Sequence, residues 1–122
     1  MTRAKISLGK LGEDLAAKKL VELGYSLIAH NYRCAYGEID LIARHGDQLV
    51  FVEVRTRRGT DFGTPEESIT ARKQAHLIVA AQNYLQENTV GDVHWRIDVV
   101  AVEMTKDGQL LRVDVLENAV TG

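Results

Sequence analysis

The sequence predicts a mixed α/β domain, a sheet of about five strands flanked by helices in the order αβββαββ. Three observations carry this. Apolar residues recur at helical spacing in two places, two alternating segments meet at Gly46-Asp47, and a second such pair meets at Lys106-Asp107-Gly108. The chain has 122 residues, 45% hydrophobic and 26% charged, so a single domain over 1–122 is expected, able to bury a core without staples. Cys34 is the one cysteine, which excludes a disulfide framework and a thiolate zinc cluster.

In the first helix Leu8, Leu11, Leu15 and Ala16 follow helical spacing, Leu20 and Leu23 extend it, and Gly24 ends it in left-handed backbone. Lys19 interrupts that apolar arc. Residues 25–33 read as extended, and Ala35-Tyr36-Gly37 as a turn. Residues 38–44 and 49–56 then alternate about Gly46-Asp47, which suits a two-residue type II′ turn with Gly first.

That turn sets the register. Arg44 faces Leu49, Ile42 faces Phe51, Asp40 faces Glu53 and Glu38 faces Arg55. Ile39, Leu41, Ala43, Val50, Val52 and Val54 make one wholly apolar face, expected to be the core face. The other face carries Ile42 and Phe51 near the turn and the four charges at the far end. Residues 57–66 read as a loop. Thr70 caps a helix running to about residue 87, with Gln74, Leu77, Ile78, Ala81 and Leu85 as its stripe. Residues 93–104 and 109–116 supply the last two strands.

The longest unbroken apolar run, residues 77–81, has five residues, against the roughly 20 that span a bilayer. Residues 1–19 lack the apolar centre of a secretory signal. A cytoplasmic protein with no membrane partner is expected. Net charge is −2, yet residues 1–75 hold 12 basic and 10 acidic side chains whereas residues 76–122 hold 3 and 7, so a polyanion should meet the first part.

Carboxylates opposed at Asp40 and Glu53 would have Cβ atoms roughly 5 Å apart, a placement that destabilises a sheet unless something compensates. Solvent with a balancing Arg55 is one solution, an ordinary charged strand end. A divalent cation is the other, since Mg²⁺ takes one or two carboxylates and completes its shell with water and phosphate oxygens. Glu13 lies seven residues before Leu20, about 20° away around an ideal helix, so it flanks the buried stripe. It either reaches solvent and Lys10 or faces the sheet and needs a partner there.

The ordered motifs Gly12-Glu13, Gly37-Glu38-Ile39-Asp40-Leu41-Ile42, Phe51-Val52-Glu53-Val54-Arg55, Phe62-Gly63-Thr64-Pro65, Lys73 and Ala80-Ala81-Gln82-Asn83-Tyr84-Leu85 cover nearly the whole chain. In this order they resemble the YraN-like family of uncharacterised bacterial proteins. That family is similar to archaeal Holliday junction resolvases in the PD-(D/E)xK, or restriction-endonuclease-like, superfamily. The resemblance implies a restriction-endonuclease-like core and a nuclease using Mg²⁺ or Mn²⁺ on structured or branched DNA. Asp40 and Glu53 would be metal ligands, Glu13 the helix carboxylate of the same site, and Glu38 part of the site region. Resolvase-like relatives that cut two strands symmetrically imply a homodimer.

One departure stands out. The superfamily pattern has Lys two residues after the Glu, where this chain has Arg55. Arg stays protonated, so it can hold a scissile phosphate but cannot serve as a base, and base work passes to metal-activated water or to Lys73. Loss of cleavage, leaving a nucleic-acid-binding module on the nuclease fold, is the alternative reading. Arg55, Arg57, Arg58, Arg72 and Lys73 form a candidate phosphate-contacting set about the loop and the start of the second helix, where the helix dipole adds positive potential; a merely solvated basic loop is the other reading. His30, His45, His76 and His94 lack metal-ligand spacing, with His76 placed on a helix flank and His45 in the turn. Trp95 and Tyr84 suit the core, and Asp98 between Ile97 and Val99 suits an inward polar group of unassigned role.

Overall fold

A computed structural model describes residues 7–59, 61, 63–88 and 91–121; Phe62 of the loop motif lies outside them. The elements are α1 (Leu8–Glu22), β1 (Ser26–Cys34), β2 (Gly37–His45), β3 (Gln48–Arg58), a 3₁₀ turn η1 (Glu66–Ser68), α2 (Ala71–Glu87), β4 (His94–Met104) and β5 (Leu110–Val120). The αβββαββ order is the one the sequence predicts. The five strands form one mixed sheet in sequential order β1-β2-β3-β4-β5. All neighbours are antiparallel except β3 and β4, which run parallel because α2 returns the chain between them.

The hairpin register is the expected one, Leu41 with Val52, Ile42 with Phe51, Ala43 with Val50 and Arg44 with Leu49. Gly46 takes φ +63°, a left-handed value at the first turn position, which glycine adopts freely. The ladder stops at Leu41 and Val52, however, and does not continue to Asp40 with Glu53 or Glu38 with Arg55. Beyond it the Val54 N–H donates to Asp40 Oδ2 at 2.8 Å, so a side chain takes the place of a backbone partner and the strands part.

Both faces of the sheet are core, not one. Leu41, Ala43, Val50, Val52 and Val54 pack with Ala16 and Leu20 of α1, while Ile42, Leu49 and Phe51 pack with Leu77, Ala80 and Ala81 of α2. The face that carries Ile42 and Phe51 near the turn is thus covered by α2. Ile39 also lies in the α2 layer, so strict alternation is lost across Asp40, where the ladder ends.

The apolar arc expected of α1 is corrected as well. Its buried residues are Gly12, Ala16 and Leu20, whereas Leu8, Leu11 and Leu23 are exposed. Close approach is the cause, because a Cβ on Gly12 would lie 1.8 Å from Thr56 Oγ1, so the helix meets β3 through its smallest residue. The start of α2 is capped as the sequence predicts, and that of α1 by Ser7, to which the sequence reading gave no role. Ser7 Oγ accepts from the Lys10 N–H at 3.1 Å, and Thr70 Oγ1 from the Lys73 N–H at 3.2 Å.

Candidate active site

Where β2 and β3 part, a pocket of about 590 Å³ opens between the first turns of α1 and α2. Glu13, Glu38, Asp40, Glu53, Arg55, Arg72, Lys73 and His76 line it. Four acids therefore meet three bases and an imidazole in one cleft. Arg57 and Arg58 do not line it. They are the last residues of β3, paired with Glu103 and Met104, rather than part of a loop. Their strand is longer than expected because β4, a distant partner in sequence, continues alongside it.

Asp40 is the hub of the acids. Its Oδ2 is fixed by the Val54 N–H, and its charge raises both the Glu53 and the Glu13 carboxyls. Glu53 is only 4% exposed. Burial, then repulsion from Asp40, pushes its carboxyl up to about 8, although Lys73 and Arg55 pull the other way. Glu13 is raised in the same direction by burial and by Asp40. Glu38 is exposed at the rim, 3.7 Å from Arg33 Nε, and does not pair with Arg55.

The cations come from two elements. Lys73 Nζ of α2 stands 3.7 Å from Glu53 Oε1, and Arg55 Nη1 of β3 stands 3.9 Å from the same oxygen. Both distances exceed hydrogen-bond length, and among the described residues Glu53 accepts no hydrogen bond. A buried carboxyl that repels its neighbour and lacks a donor is the chemistry a divalent cation relieves. Among the described residues no three acids, histidines or cysteines close into a ready cage. The donor set fits a cation that takes two protein carboxylates and fills its shell with water and substrate oxygens, as Mg²⁺ does.

The sequence reading missed two features of the site, and it read Asp98 as inward-facing without assigning its partners. His76, one turn beyond Arg72, turns toward the pocket beside Gly37, and its helical spacing from Arg72 and Lys73 was the available signal. Ser68 accepts from Arg55 Nε at 2.7 Å, a contact with no local signature. On β4, in register with Val52, Asp98 is fully buried and accepts from the Tyr25 hydroxyl, Arg96 Nε and the Asn118 N–H at 2.7, 2.9 and 2.9 Å. Arg96 also reaches Gln48 and His45, whose ring stacks on Tyr25. Trp95 and Tyr84 sit edge-on to Phe51 against the α2 layer, as expected of core aromatics.

The family model described as Uncharacterised protein family UPF0102 matches residues 12–102. A UPF0102 protein of Roseiflexus castenholzii is 45% identical over 121 residues, covering 98% of each chain. One of Caldicellulosiruptor saccharolyticus is 41% identical over 115 residues, 94% of this chain and 98% of its own. One of Rhodococcus opacus is 50% identical over 100 residues, 80% of this chain and 82% of its own.

Proposed function

The chain belongs to the uncharacterised protein family UPF0102, and we propose that it is a metal-dependent endonuclease acting on structured or branched DNA. The observation that carries this reading is the convergence of Glu13, Asp40 and Glu53 with Lys73 and Arg55 at the parted end of the β2–β3 hairpin. The substrate class comes from the motif order, which resembles the YraN-like family, itself similar to archaeal Holliday junction resolvases. Asp40 and Glu53 would hold Mg²⁺ or Mn²⁺, with Glu13 completing the shell through water. Such a cation supplies a Lewis acid that stabilises charge developing on a phosphoryl oxygen.

The chain's own groups do the rest. Arg55 holds the scissile phosphate, since a guanidinium stays charged and matches phosphate oxygens at two points. Lys73 of α2 places a second cation beside the same Glu53 oxygen that Arg55 approaches, at 3.7 Å. Arg72 and the first turn of α2 add positive potential for an adjoining phosphate. Two strands cut symmetrically would call for a homodimer with two such pockets.

A panel of four-way, single-stranded and duplex DNAs with Mn²⁺ or Mg²⁺ tests the reading. Cleavage of the branched substrate, abolished in Glu53→Ala with binding retained, is expected. Binding of these DNAs without cleavage of any would instead establish the non-catalytic binding module. Two observations favour that second reading, Arg55 in the lysine position and the absence of a three-acid cage among the described residues.

A further inference from the structure

We propose that Ser68 is a positioning residue that presents Arg55 end-on to a substrate phosphate, an inference that rests on the phosphodiester reading above. The Arg55 Nε–H donates to Ser68 Oγ at 2.7 Å, and the Ser68 hydroxyl spends its one hydrogen on the Pro65 carbonyl. The serine can therefore only accept from Arg55, and the polarity of the contact is fixed. Ser68 is itself held. It closes η1, whose Glu66 receives Arg112 Nη2 of β5 at 2.7 Å, while the same guanidinium grips Glu103 of β4. Arg55 is thus aimed by a turn anchored to the far half of the sheet.

The consequence lies in which donors remain. With Nε engaged, the side-on fork of the guanidinium is taken, and the two-point grip left is the end-on pair Nη1 and Nη2. Nη1 already faces the pocket, 3.9 Å from Glu53 Oε1. A lysine at position 55 carries all its donors on one nitrogen and cannot give a phosphate the planar two-point grip. Its ammonium would also duplicate that of Lys73, 3.7 Å from the same carboxylate oxygen. The arginine therefore marks a division of labour, with Lys73 supplying the point charge and Arg55, steered by Ser68, the phosphate clamp.

The test combines a spectroscopic readout with a binding cycle. In ¹⁵N spectra Arg55 should give a protected Nε–H signal that is lost in Ser68→Ala. Affinity for a four-way DNA junction, measured in EDTA so that nothing is cut, should fall about tenfold in Ser68→Ala, the size of a freed hydrogen-bonded clamp. In an Arg55→Ala background the same serine substitution should change nothing further. An Nε–H signal untouched by Ser68→Ala, or an affinity loss that persists undiminished without Arg55, overturns the positioning role and leaves the nuclease reading standing. A wild-type protein with no affinity for branched, single-stranded or duplex DNA overturns both.

Discussion

Glu53 keeps its proton to a higher pH than an ordinary glutamate, and stability should therefore depend on pH through this one side chain. Below its ordinary value of 4.5 the carboxyl is protonated folded and unfolded, and it contributes nothing. Between 4.5 and about 8 the unfolded chain has released the proton while the native state retains it, so rising pH progressively destabilises the fold. Glu53→Gln removes that slope. The variant should melt higher than wild type at pH 8 without metal and show a smaller advantage at pH 5, and it should lose any rise in Tm on adding Mn²⁺. Equal melting temperatures at both pH values would contradict the burial and repulsion argued for Glu53. At Gly12 two effects compete. Alanine gains about 1 kcal/mol of helix propensity, but its Cβ meets Thr56 Oγ1 at 1.8 Å, an overlap of the kind that costs about 1–3 kcal/mol. Gly12→Ala should be destabilised in urea titration, and, with α1 pushed off β3, should bind Mn²⁺ more weakly because Glu13 moves with the helix.

At the scale of elements, the β2–β3 hairpin was legible because a single glycine fixes it. Gly46 sets the turn, the turn sets the pairing, and pairing brings Asp40 toward Glu53. Where the pairing ends was not legible, since the Val54 N–H finds its acceptor in the Asp40 side chain and not in a backbone carbonyl. The length of β3 was hidden for a related reason. Arg57 and Arg58 look like loop residues until β4 lies beside them, a parallel partner more than forty residues away in sequence. Asp98 was visible as a polar interruption in an apolar run, but its role needs Tyr25, Arg96 and the backbone of Asn118. That buried cluster ties β4 to the backbone of β5 and to Tyr25 just before β1, with Asp98 in register with Val52. Asp98→Asn should cost about 3 kcal/mol, because it leaves Arg96 buried beside a neutral group. Denaturant titration should show the loss, while the metal affinity of the still-folded fraction stays that of wild type.

Across the whole molecule, two helices cover opposite faces of one sheet and begin on either side of the place where its central hairpin opens. That arrangement brings three of the twelve basic side chains of residues 1–75 to the cleft. Arg55, Arg72 and Lys73 all come from that part of the chain and stand around the acids. It also explains why the site is buried at its centre and open at its rim, with Glu53 nearly inaccessible and Glu38 exposed. No helix among the described residues is long and apolar enough to cross a membrane. The measurement that tests the central claim most directly is single-turnover cleavage of a four-way DNA junction in Mn²⁺ by wild type and Asp40→Asn, with junction affinity measured in EDTA for each. The expected result is metal-dependent cleavage by wild type and its loss in Asp40→Asn at undiminished affinity. Cleavage that survives the substitution, or a wild type that binds the junction and leaves it intact at every metal concentration, would contradict it.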